Sequence, residues 1–211
     1  MALSDRVQYR RYRISLTEPL LGSLPSSKLI YQEYVASKAP EPEAEGADET
    51  ALLPAEETPK TTVFLRDDQG GCCLMDYQFV GFLKSAANIL KDVVEVPVSV
   101  GGRTRKKTGI PALRNKLQRF VFVDPRIIRL GRAPDGIYER PLQTMSRMGP
   151  RTCLASSEVL NPPISFEIQI GLLPNLEITW EVLAQLMEYG QFVGLGQFRG
   201  AGYGRFTFDL L

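Results

Sequence analysis

Apolar and polar residues alternate most cleanly near the C-terminal end, where Ile164, Phe166, Ile168, Ile170 and Leu172 share one face of an extended segment. A period of two predicts a half-buried strand there. Gln8 to Thr17 shows the same pattern around Tyr9, Tyr12, Ile14 and Leu16, and the arginines at 10, 11 and 13 give that strand one basic face. Pro19 and Gly22 end it. A rough 3.6-residue period over Ser26 to Ser37 (Leu29, Ile30, Tyr34, Val35) predicts a short helix, capped by Ser26 or Ser27. Thr61 to Arg66 and Cys72 to Phe79 form a hairpin pattern across Asp67-Asp68-Gln69-Gly70-Gly71. Phe82 to Val94 carries a helical stripe, with Phe82, Leu83, Ala86, Ile89, Leu90 and Val93 on one side. A short helix over Pro111 to Leu117, strands at Phe120 to Val123 and Arg126 to Leu130, and a turn at Ala133-Pro134-Asp135-Gly136 follow. Arg140 to Ser157 is a polar segment without a clear period. Trp180 to Tyr189 is helical, with Thr179 as its cap and Gly190 as its stop. A strand from Tyr203 to Leu210 closes the chain.

This order predicts an α+β fold: a ferredoxin-like, RRM-like antiparallel sheet with two main helices packed on one face. The opposite face is then free for nucleic acid, as in RNA-recognition domains. One domain spans 1–211. It carries a flexible acidic insertion at 39–60, poor in aromatics and rich in Ala, Glu and Pro, and a basic insertion at 95–119.

Charge sharpens this picture. The chain holds 25 Lys and Arg against 24 Asp and Glu, a net +1. Seven of the acids (Glu41, Glu43, Glu45, Asp48, Glu49, Glu56, Glu57) lie between Ala39 and Pro59, where there is no Lys or Arg. Setting that stretch aside leaves 25 bases against 17 acids, a formal +8. A body this basic favours polyanionic partners. The acidic stretch is either a disordered linker, an element that touches a neighbouring copy, or a mimic of nucleic-acid charge. The chain has no histidine, which excludes a His-based triad, a His metal ligand and an imidazole base. Cys72, Cys73 and Cys153 lack metal spacing and make no disulfide framework. No apolar run spans a bilayer and the N-terminus has no signal-peptide core, so a cytoplasmic protein with no membrane partner is expected.

The candidate chemistry centres on Gly194-Leu195-Gly196-Gln197-Phe198-Arg199-Gly200-Ala201-Gly202-Tyr203-Gly204, with five glycines in eleven residues. Bare backbone N–H groups in such a loop cradle phosphate, and Arg199 and Arg205 add charge. The alternative is a tight turn that packs helix against sheet. Arg103, Arg105, Lys106 and Lys107 form a glycine-bracketed basic loop suited to phosphate contact, and Lys84 is placed near a helix start, where the dipole also favours phosphate. Tyr9, Tyr12 and Phe198 are candidates for stacking on bases. Asp67 and Asp68 are either a turn sequence or a Mg²⁺-binding pair for RNA cleavage.

The glycine segment resembles the C-terminal glycine-rich loop of the RAMP proteins, the RNA-binding superfamily of CRISPR systems, with its pattern G-x-G-x-x-x-x-x-G-[FY]-G ahead of a strand. Met75 to Ala86, through Gly81, Leu83 and Lys84, resembles the strand-to-helix segment of type III effector backbone subunits. Leu16 to Ser23 resembles the end of their first strand, and Ala155 to Ile168 the segment before their penultimate strand. The resemblance implies a ferredoxin-like core and binding of single-stranded, guide-like RNA. It also implies assembly with other copies or effector subunits in a prokaryotic cell, with a phage or mobile element as a possible source. Single-stranded DNA is the alternative ligand. No cofactor or metal is expected for binding; Mg²⁺ enters only in the cleavage reading. A metal-dependent endoribonuclease using Asp67 and Asp68, and a decoy or inhibitor of such an assembly, are the competing functions.

Overall fold

In a computed structural model, residues 4–36, 51–55, 58, 61–100, 103–146, 149–173, 175 and 177–211 are described. Along the chain run β1 (Gln8–Leu16), the two-residue strands β2 (Leu20–Leu21) and β3 (Leu24–Pro25), helix α1 (Lys28–Ala36), β4 (Thr61–Val63), β5 (Leu65–Arg66) and β6 (Cys72–Met75). Helix α2 (Asp76–Leu90), the hairpin strands β7 (Glu95–Val100) and β8 (Arg103–Thr108), helix α3 (Leu113–Phe120), β9 (Val121–Asp124) and β10 (Ile127–Arg129) follow. The long hairpin of β11 (Gly136–Ser146) and β12 (Gly149–Leu160), then β13 (Ile164–Leu172), α4 (Trp180–Glu188) and β14 (Phe206–Leu210), complete it. The protein is thus α+β, with mainly antiparallel sheets and four helices among the described residues. None of those helices is long and apolar enough to cross a membrane.

The main sheet has the strand order β14-β1-β13-β9, every neighbouring pair antiparallel. Its two faces follow from the alternation of side chains across a strand. Tyr12, Ile14 and Leu16 of β1, Ile164, Phe166, Ile168, Ile170 and Leu172 of β13, and Phe206 of β14 are buried on one face. Phe79, Phe82, Leu83, Ala86 and Ala87 of α2, together with Trp180, Val182, Leu183, Leu186 and Met187 of α4, close over that face into one core. Thr179 begins α4 with its hydroxyl accepting from the Val182 N–H. The other face carries Arg11, Arg13, Ser165, Glu167, Thr207 and Asp209, and Arg13 pairs with Glu167 at 2.9 Å.

A second, smaller core gathers Leu24, Tyr31, Leu53, Val63, Leu65, Cys73 and Met75. Arg66 joins it to the long hairpin through an ion pair with Glu158, both side chains largely buried, while the second Glu158 oxygen accepts from the Phe64 N–H at 2.8 Å. Most of the acidic insertion lies outside the described residues, but at its end Leu53 is buried in this cluster.

Several elements differ from the sequence reading. Helix α2 begins at Asp76, six residues before Phe82, because the Gln78 side chain accepts the Met75 N–H at 2.7 Å and donates to Ser23, fixing the first turn; Gly81 lies inside the helix with open space around it. The basic segment at 103–108 is a strand rather than a loop, paired with β7 along six residues. Within the polar segment, residues 140–146 belong to β11 and 149–157 to β12, two strands paired over eleven positions. The arginines of β1 do not share a face: Arg10 turns to the helix side and stacks on Trp180, 4.5 Å from its ring centre.

Candidate nucleic-acid interface

The glycine loop leaves α4 through a short 3-10 turn and returns into β14, held against β2 on the way. Leu195 N–H donates to the Gly204 carbonyl at 2.9 Å, Gly204 N–H to the Pro19 carbonyl at 2.7 Å, and Gln197 N–H to the Leu21 carbonyl at 3.4 Å. Ala201 and Gly202 donate to Phe198 and Arg199, both at 3.0 Å. The glycines are there for close approach. A Cβ on Gly194 would overlap the backbone of Gly204, and one on Gly204 the carbonyl of Leu195. Gly196, at φ +71°, has no room beside the Leu21 carbonyl. These three positions therefore knot the loop onto β2, and the N–H groups of 195, 197, 201, 202 and 204 are spent inside it. Gly200 alone of the loop glycines has nothing within 4 Å of where a Cβ would stand, and it is exposed.

What the knot presents outward is a set of side chains. Phe198 is held at φ +57°, the left-handed region that costs a bulky residue strain and that clusters at ligand-binding positions. Its ring lies 5.8 Å from that of Tyr203, which lies 5.2 Å from that of Tyr138 on β11. The Arg140 guanidinium, also from β11, covers the Phe198 ring, and its Nη1 is shielded from solvent with no hydrogen-bond partner. Burial lowers the Arg140 pKa, yet an arginine remains cationic. The hydrogen bond with Tyr138, then burial, raise the Tyr203 pKa, so its phenol stays neutral. Behind the rings, Gln197 Oε1 accepts from Thr62 and Ser157, at 3.0 and 2.9 Å, fastening the loop to β4 and β12. Arg199, the next residue along the loop from Phe198, is half-exposed.

The remaining sequence candidates sit elsewhere. Arg205 is used by the fold, its Nε donating to the Phe192 carbonyl at 3.1 Å. Lys84 lies mid-helix in α2, half-buried and engaged, rather than at a helix start. Lys106 pairs with Glu95 across the β7–β8 hairpin and Lys107 is exposed, whereas the side chains of Arg103 and Arg105 lie outside the described ones. That hairpin is docked on α4 by Gln185, which bonds both the N–H and the carbonyl of Glu95. Asp67 shapes the β5–β6 turn, its Oδ1 accepting from Gln69 at 3.0 Å and Gly71 at 2.7 Å. Asp68 is exposed beside Arg129. No group of three or more metal-ligating side chains occurs among the described residues. Tyr12 is buried against Phe208, while Tyr9 stands exposed.

No family model matches the chain, and no curated protein matches it. Many solved chains are similar to it, one of which illustrates the likeness. It is a chain of the cryo-EM structure of the Type III-B Cmr-beta bound to cognate target RNA, with 10% identity over 99% of this chain and a TM-score of 0.47. The match spans 62% of that chain's length. Neither family nor function follows from a likeness this loose.

Sequence reasoning did not single out Tyr138, Arg140, Gln197, Thr62 or Ser157. The first two sit in a hairpin whose alternation is masked because both of its faces are partly exposed. The one available signal was an aromatic and an arginine two residues apart, which share a face in any strand.

Proposed function

We propose that this protein binds single-stranded RNA on the surface built by the glycine loop and β11, as one copy in an assembly with further copies or effector subunits. The observation that carries the reading is the buried, unpartnered Nη1 of Arg140 set against Phe198, whose ring adjoins Tyr203 and through it Tyr138, with half-exposed Arg199 next in the loop. A shielded guanidinium N–H without an acceptor is costly, and a phosphate that drew Arg140 off the Phe198 ring would supply the acceptor by a charge-assisted bond and uncover the ring. Adjacent rings offer the sequence-tolerant stacking that single strands use. The strand order β14-β1-β13-β9, crossed by α2 and α4, fits the ferredoxin-like core expected of RAMP-type subunits. The glycines serve this surface indirectly, by fixing the course of the loop that carries Phe198 and Arg199, and the N–H groups of Gly202 and Gly204 are used within the fold.

The test is binding of a labelled oligouridine across a salt series. Wild-type protein binds more weakly as salt rises, and R140A and R199A each weaken binding and flatten the slope by about one ion. Affinity that ignores salt, or variants that bind like wild type, defeats the reading.

A further inference from the structure

A separate pair of aromatic rings stands on the open face of the main sheet. Tyr9 of β1 and Phe122 of β9 both pair in register with Gly171 of β13, so the three form one row across the sheet. Tyr9 is 58% exposed and Phe122 49%, although the other outward positions of this face, among them Arg11, Arg13, Ser165, Glu167, Gln169, Asp124, Thr207 and Asp209, are polar. The backbones that carry the rings are two strand spacings apart, about 9.5 Å. Gly171 lies buried beneath the Tyr9 ring and Val7, so that a Cβ there would lie 2.9 Å from the ring and 3.2 Å from the Val7 side chain, and the ring rests flat enough on the sheet to leave its outer side to solvent.

The surroundings select the occupant. One register step along, Arg11, Gln169 and Asp124 form the next row. Arg11 is exposed and makes no ion pair among the described residues, while Glu167 is already matched by Arg13. An apolar partner surface would bury the rings only by stripping water from Arg11 and Gln169, which costs more than the rings return. A nucleobase covers a ring with its π-face while its polar edge remains available to Arg11 and Gln169.

We infer that Tyr9 and Phe122 form a stacking platform for the bases of single-stranded nucleic acid. The inference rests on the RNA-binding reading above and extends it to a second contact. Leu16, at the far end of β1, pairs with Phe206 where the glycine loop enters β14, so Tyr9 lies seven residues, or about 24 Å, from that end. A bound strand would be gripped through its phosphates at one end of β1 and through its bases at the other.

The experiment compares wild type, Y9A, F122A and Y9A/F122A for binding of a labelled oligouridine and of an abasic oligomer of equal length, with thermal melts to confirm folding. Both side chains are exposed, so the variants retain the wild-type melt. The double variant loses at least about fivefold in affinity for oligouridine, keeps the wild-type salt slope, and binds the abasic oligomer as wild type does. Ultraviolet crosslinking of the wild-type complex places adducts on the peptides containing Tyr9 or Phe122. If wild type binds oligouridine and the double variant binds it equally well, the platform is wrong and the glycine-loop reading stands. If wild type binds no oligouridine at any salt, both fall. Self-association of wild type without RNA that the same variants abolish would show the face to be a protein interface instead.

Discussion

At the scale of single residues, the glycine loop divides into positions that hold the fold and positions that face the solvent. Gly194 and Gly204 press backbone against backbone, and Gly204 also sits at φ +69°. We expect Gly194→Ala and Gly204→Ala each to cost about 3 kcal/mol or more, through overlap with main chain that has nowhere to go. Gly200→Ala meets open space and should stay within about 0.5 kcal/mol of wild type. Urea unfolding of the three variants checks this; equal destabilisation would refute the division. The cysteines divide in the same way. Burial pushes the Cys72 thiol up to about 12 and the Cys73 thiol up to about 11, and Cys153 is exposed. Alkylation requires the thiolate, and a raised pKa keeps a thiol protonated below that value. At pH 8, iodoacetamide should therefore label Cys153 alone, with Cys72 and Cys73 reacting only in denaturant, as read by peptide mass spectrometry.

At the scale of elements, the notable joint is the one between β5 and β12. Arg66 pairs with Glu158, Glu158 also accepts from Phe64, and Arg66 donates to the Phe64 carbonyl at 2.9 Å. This network ties the short strands to the long hairpin that carries Tyr138 and Arg140. Glu158→Gln keeps the shape but leaves the guanidinium without its counter-charge in a largely buried setting. We expect a loss of about 3 kcal/mol in chemical denaturation, together with weaker oligouridine binding as β11 loses its support. Unchanged stability would show the pair to be incidental. The elements themselves were legible to different degrees. β13 and α4 could be read to within a residue, because each buries one face and solvates the other. The long hairpin could not, because strands that solvate both faces have no reason to alternate. The start of α2 was hidden because its first-turn partner, Ser23, is 55 residues away from Gln78.

At the scale of the whole molecule, local chemistry and long-range placement separate. Side-chain periodicity, the Thr179 cap, the glycine spacing, the missing histidines and the charge asymmetry between the acidic stretch and the rest are properties of neighbouring residues, and they stand in the chain without any fold. They suffice for an α+β protein with a basic body and a crowded glycine loop. Which strands lie side by side is a different matter. The order β14-β1-β13-β9 places residues 9, 122 and 171 in one row, and the approach of β11, from another sheet, to the glycine loop brings Arg140 over Phe198. The conversion of the glycine loop from an open cradle to a closed knot likewise depends on carbonyls at 19 and 21, far away in sequence. Packing of distant segments decides which N–H groups are spent, which rings are left in water and which arginine lacks a partner, and no local pattern encodes that choice.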